Sequence, residues 1–295
     1  MSTLNVNNIT KYTGGEVVVN DASEDVDFRV ESNGNANMLT VNGGSNIVGV
    51  AADPDLGVGL HIKSADSGAS VHADSDELVI EGSGASGLSI LSGTSSNGKI
   101  AFNDSGGNSR GAVIYEHNGD NLRFQTAATD ALKIDSTGAV SKPLQPYVFA
   151  YANADQTLDA DDADKTVALN AELKDVNSDF NTGTYTFTAP VSGAYLVNGF
   201  YRFTGDTATQ ATDWFLKFTA SNGTETVWTG NPSVWECGSG SAYSKSVNVS
   251  KTIYMDASDT LTMTTDVYSG GSYTYDIDGH ANSYQATSMQ ITLLC

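Results

Sequence analysis

Apolar and polar residues alternate with a period of two along nearly the whole chain, in short runs bounded by Gly, Asn, Asp and Ser. That pattern marks half-buried strands joined by turns, and no amphipathic stretch of helical period extends past two turns. The alternation therefore predicts an all-β protein. From residue 147 onward it places strands near 147–151, 166–169, 185–188, 193–203, 212–220, 225–229, 243–254, 260–267 and 287–294. Many short strands separated by turn signals suit a β-sandwich or jelly roll.

The first half carries a weak internal repeat. DFRVESNGNANMLTV from Asp27, ELVIEGSGASGLSI from Glu77 and NLRFQTAATDALKI from Asn121 share one grammar: an alternating strand, a small polar turn, a second alternating strand. Each reads as a hairpin, and loose recurrence of this kind fits stacked modules of an elongated shaft over residues 23–140. Alternating hairpins also recur in any β-rich protein. SKPLQP at 141–146 reads as a linker, because its two prolines hold an extended backbone that cannot continue a ladder. Residues 1–22 are too few to fold alone yet carry Leu4, Val6, Ile9, Val17, Val18 and Val19 around a Gly14-Gly15 break. They are expected to pair with another protein.

Composition sharpens this division. Of the 26 aromatic residues, five precede Pro146 and 21 follow it, including Trp214, Trp228 and Trp235, whereas 19 of the 30 glycines lie before it. Large aromatics dominate core energetics, so residues 147–295 can build a core and the first half is poor in core material. No cysteine precedes Cys237, which leaves oligomerisation as the simplest source of stability for the first half. With only Cys237 and Cys295 present, a cytoplasmic origin favours free thiols.

The net charge of −21 is shared by both halves. Nucleic-acid binding rests on Lys and Arg neutralising phosphates, so this balance excludes DNA, RNA and anionic lipid as partners. No run approaches the roughly 18 apolar residues of a membrane span, and the N-terminus has neither a charged nor an apolar leader region. Membrane insertion is not expected, and synthesis in a cytoplasm is.

Several phrases resemble phage fibre proteins. MSTLNVNNI followed by Gly14-Gly15 is similar to the start of fibre proteins of phages that infect marine bacteria. NIVGVAADPDLGVGLHI at 46–62, and KIAFND with GAVIYEHNGDNLRFQT and ALKIDSTGAV at 99–140, resemble other fibre phrases. Each alone is of low complexity; their order within one chain makes the resemblance more specific. FNTGTYTFTAPVSGAYLVNGFYRF at 180–203 and the final TSMQITLLC resemble the trimeric jelly roll of the tumour-necrosis-factor and complement globular-head families. Residues 204–286 show no such match. The resemblance implies a homotrimer whose inner strands pack around a three-fold axis, on a virion surface, with residues 1–22 joined to other virion proteins and the head at 147–295 meeting a host surface glycan or protein. A capsid or tail decoration trimer without a receptor of its own is the alternative.

Candidate contacts follow from the head's aromatics. Trp228 and Trp235 flank a turn-rich TGNPSV, where an exposed indole would suit a sugar face. Tyr243, Tyr268, Tyr273 and Tyr275 lie near or within YSGGSYTYDIDGH, whose Gly-rich aromatic composition suits an adaptable binding surface. The competing assignment puts these rings in the core or the trimer interface, and Trp214, alternating within a strand, fits that better. Asp155, Asp159, Asp161, Asp162 and Asp164, and the pair Asp276 and Asp278, could offer oxygens to calcium, but no EF-hand spacing is present and a solvated acidic loop fits better. No metal or other cofactor is expected. His61, His72, His117 and His280 show no ligand spacing, no Gly-x-Ser-x-Gly elbow occurs, and GGNSRG and GSGASG lack the Lys and helix of a phosphate loop. A non-enzymatic role is expected. A depolymerase fibre would call for a longer repetitive β-helix with inward acids, which this sequence lacks.

Overall fold

The computed structural model describes residues 28–30, 38–42, 47–50, 59–159, 164–205, 213–223, 227–230, 243–268, 274–279 and 285–295. Every regular element among them is a strand. The chain divides into two compact units, Met1–Leu91 and Ser92–Cys295. This break falls well before the proline-marked segment 141–146, which lies within the second unit.

The first unit holds one five-stranded sheet in chain order: β1 (Phe28–Val30), β2 (Leu39–Asn42), β3 (Ile47–Val50), β4 (Leu60–Lys63) and β5 (Leu78–Glu81). The expected hairpin at 27–41 forms, with Phe28 opposite Val41. The one expected at 77–90 does not. Its first arm becomes β5, which runs parallel to β4, and residues 83–91 follow as exposed chain outside any ladder. The cause is local: six small residues, Gly82 to Gly87, separate the two arms, and so long and flexible a turn gains nothing from the tight geometries that close hairpins.

The second unit opens with an antiparallel meander: β6 (Asn97–Asp104), β7 (Gly107–Glu116), β8 (Asn121–Thr126), β9 (Thr129–Ile134) and β10 (Val140–Ser141). The hairpin expected at 121–134 forms here as β8 and β9. Only Ala127 and Ala128 join these strands, both at positive φ (48° and 62°), the primed turn that matches strand twist.

The head follows as β11 (Tyr147–Tyr151), β12 (Gln156–Asp159), β13 (Lys165–Thr166), β14 (Ala171–Asp175), β15 (Phe180–Asn181), β16 (Thr186–Thr188), β17 (Gly193–Gly205), β18 (Asp213–Ala220), β19 (Val227–Gly230), β20 (Tyr243–Met255), β21 (Thr260–Tyr268), β22 (Thr274–Ile277) and β23 (Ser288–Leu293). One sheet runs β11, β23, β17, β20 through its centre; the other runs β16, β21, β18, β19. Taking these eight principal strands in chain order, the path crosses between the sheets in two nested Greek keys. That is a jelly roll. The short strands β12, β13, β14, β15 and β22 extend the edges.

The core lies between these sheets. Val148, Tyr195, Val197, Tyr201, Ile253 and Met289 face Phe187, Leu216, Phe218, Leu261 and Met263, all fully buried. Phe187 meets Tyr195 edge to face at 5.5 Å. The Tyr195 hydroxyl donates to Val191 O at 2.6 Å, and burial pushes the Tyr201 phenol well above its ordinary range. Gly199 sets the sheet separation in mid β17: a Cβ there would lie 2.6 Å from the Phe218 ring. All members of this core cluster come from residue 148 onward, where the aromatics concentrate.

Candidate functional site

The two N-terminal sheets are built inside out relative to an ordinary globular sheet. In the first, register aligns Val41, Val48, Leu60 and Leu78 in one row and Leu39, Val50, Ile62 and Ile80 in the next, all on one face. None of these aliphatic side chains is buried. The opposite face carries Thr40, His61, Lys63 and Glu81, which are.

Glu81 organises that polar face. Its carboxylate accepts the Ser67 backbone N–H at 2.7 Å and the Ser67 hydroxyl at 2.8 Å, with His61 Nε2 at 2.9 Å and Lys63 Nζ at 3.3 Å. The Ser67 backbone N–H, helped by the Ser67 hydroxyl and Lys63 and opposed by burial, lowers its pKa from 4.5 to about 2. Because the folded value is depressed, the stabilisation is complete above the unfolded pKa and is lost as pH falls through the folded one. Acid titration between pH 4.5 and about 2 is therefore expected to loosen the first unit, and Glu81→Gln should remove that part of the pH dependence, read by hydrogen exchange at Ile62 and Ile80.

The second sheet repeats the arrangement. One face aligns Ile100, Val113, Phe124 and Leu132 in a row beside Tyr115, Leu122, Ile134 and Val140, with Phe102 over Gly111. Phe102 and Val140 are each 60% exposed. On the other face Arg123 reaches Glu116 at 3.6 Å and Asp130 at 3.4 Å, and Gln125 donates to Asp130 at 2.8 Å. Both sheets thus turn these polar groups, together with Ile47, Ala112 and Ile114, to the covered face, where Thr40 Oγ1 and Arg123 Nε have no hydrogen-bond partner among the described residues, and leave the apolar face open. Contiguous apolar surface of this kind marks an interaction site.

Strand register also orients the head. At one pole the linker meets the end of β23: Leu293 N donates to Pro146 O at 3.1 Å and Gln145 Nε2 to Leu293 O at 2.6 Å. Cys295, exposed with a free thiol, lies at this pole too, its carbonyl accepting from Ala194 N at 2.9 Å. At the other pole Gly205 sits opposite both Tyr243 and Tyr275, Asp213 opposite Tyr268, and Phe215 opposite Gly230. The connections 206–212, 231–242 and 269–273 therefore all leave and rejoin strands at this distal pole.

Of the predicted contact residues, two end strands at this pole. Tyr243 begins β20 and Tyr268 ends β21 at the distal pole, and Trp228 lies in β19 opposite Lys217. Trp235 and Tyr273 lie outside the described residues, as do Leu4, Val6, Ile9, Val17, Val18, Val19 and Cys237. Tyr275 departs from expectation. It is 3% exposed, within the core and opposite Leu158, because 274–277 is a strand with alternating burial rather than part of a loop. The alternation Tyr-Thr-Tyr-Asp-Ile was the available signal.

The acidic residues serve as structural acceptors. Asp155 accepts Gly279 N at 2.9 Å, Asp276 accepts Thr157 Oγ1 at 2.7 Å, and Asp278 pairs with Arg202 at 3.2 Å. Among the described residues no group of three or more His, Cys, Asp or Glu side chains is placed to hold a metal ion. Sequence reasoning missed Lys217, which lies buried in β18 against Asp266 and 2.7 Å from Asp164.

No protein-family model matches the chain, and no curated protein matches it by sequence. Among solved structures it is similar to the globular domain of zebrafish complement 1qA protein, at 17% identity and a TM-score of 0.34, over 51% of this chain and 98% of that one. It is also similar to Eiger TNF from S. frugiperda, at 12% identity and a TM-score of 0.35, over 51% of this chain and 94% of that one.

Proposed function

We propose that this chain is the subunit of a homotrimeric fibre on a phage particle, acting by binding rather than catalysis, with the distal pole of its jelly-roll head meeting the host surface. The observation that carries the reading is the pair of open apolar faces on the N-terminal sheets. Sheets that add nothing to the head's core cluster and leave an apolar face open are stable only when other copies cover them, and three copies closing around one axis cover every such face at once. The fibre-like phrases of residues 46–62 and 99–140 fall in these same sheets. Residues 1–22 would join the fibre to other virion proteins.

The distal pole supports the attachment role. The strand ends that bound three connections lie there, away from the pole where the linker enters, and two of those connections carry Trp235 and Tyr273 in sequence. Aromatic anchors carry most of an interface's affinity, each hot spot contributing about 2 kcal/mol or more. The double substitution Trp235→Ala, Tyr273→Ala is therefore expected to weaken adsorption to host cells at least tenfold while sedimentation still reports a trimer. Adsorption equal to the parent's would overturn the attachment role and leave a decoration trimer. Tyr275→Ala is the control, expected to lower the head's melting temperature because it empties a core position.

A further inference from the structure

We infer that residues 87–91 form a β-strand in trans, adding to the outer edge of β6 in a neighbouring copy and locking the chains of the assembly to one another; this rests on the homotrimer reading above. Three segments share the strand-turn-strand grammar, and in two of them the second arm, β2 or β9, folds back on its own chain. In the third, the second arm pairs with no strand among the described residues.

That arm is not built to be left in water. Residues 83–91 are all exposed, and no backbone hydrogen bond ties 87–91 to the rest of the described chain. Yet Leu88 is 63% exposed, Ile90 45% and Leu91 93%. Leu88 and Ile90 alternate with Gly87 and Ser89, the period of a strand with one apolar face. Chain whose N–H and C=O groups find no backbone partner among the described residues, and whose sequence alternates aliphatic with small residues, is matched by a sheet edge that offers the complementary row.

The outer edge of β6 is such a place. Among the described residues β6 is the terminal strand of the second sheet, laddered to β7. Its Ile100 and Phe102 belong to the open apolar face, so a strand added there would extend that face with Leu88 and Ile90. A second copy is the occupant this edge fits. The apolar face beside it already requires other copies, and 87–91 carries no charge to oppose its approach in a chain of net charge −21. Exposed edges are templates for pairing, and exchanging identical elements between protomers protects all of them together.

The test places the photoreactive residue p-benzoylphenylalanine at Leu91 of the full chain. Sedimentation of the same sample first reports its state. Irradiation is expected to give interchain products on a denaturing gel, with peptides mapping to β6 of another chain. In the unsubstituted protein the amides of Ser89 and Ile90 are expected to exchange at least about 100-fold more slowly than in an unstructured chain. A trimer that gives only intrachain products, no products, or products away from β6, with unprotected amides at 89 and 90, overturns the strand exchange and leaves the trimer standing. A monomer overturns both readings.

Discussion

Replacing Phe102 and Phe124 together by aspartate is expected to abolish assembly of the N-terminal region while leaving the head folded. Both rings belong to the open face of the second sheet and are 60% and 40% exposed in the single chain, so neither supports an intrachain core. Burying a phenylalanine is worth about 1.5–3 kcal/mol. Since only 60% and 40% of the two residues is left for assembly to cover, losing both removes about 1.5–3 kcal/mol per chain, roughly ten- to a hundredfold in the association constant, before the cost of placing carboxylates in an apolar interface is added. Sedimentation should show the parent at three chain masses and the variant at one at micromolar concentration. A variant that sediments as the parent does would mean that the face is not between copies.

The second large effect is expected inside the head. Lys217 and Asp266 are 5% and 2% exposed in their side chains, and Lys217 Nζ also contacts Asp164 at 2.7 Å. Lys217→Met removes the cation and leaves the Asp266 carboxylate buried with the Asp164 backbone N–H as a remaining donor. Breaking a buried pair from one side costs about 3–5 kcal/mol. For a domain of this size that lowers the melting temperature by roughly 10 °C, measurable by calorimetry. The double variant Lys217→Met, Asp266→Leu should recover most of the loss, because replacing both partners leaves no charge stranded. A single variant that melts with the parent would show that water reaches this pair.

Much of the head was legible because its long strands obey a strict period of two and pack aromatics on one side. The expected strand at 193–203 appears as β17, and that at 243–254 as β20. The short strands were harder. Ala171–Asp175 reads Ala-Glu-Leu-Lys-Asp, whose alternation rests on two apolar residues alone, and as an edge strand it buries little, Leu173 being exposed. Tyr275 reads as a loop residue because glycines and tyrosines precede it, whereas its neighbours Thr274 and Asp276 already mark the outward positions of a strand. The hairpin at 77–90 failed for a different reason: alternation reports which residues could be strands, but not which edge they will find. Lys217 carried no signal at all, since its partners Asp164 and Asp266 stand far from it in sequence and meet it only through the sandwich.

The two poles of the head have a consequence for how such a protein can change. The linker and the last strand are fastened together at one pole, so the ladder that holds the sandwich does not depend on the length of the connections at the other. Doubling the length of such a connection costs only about 0.6 kcal/mol in closure entropy. Lengthening 206–212, 231–242 or 269–273 is thus expected to cost the fold little in closure entropy, and the joint between linker and last strand at the opposite pole need not change with it.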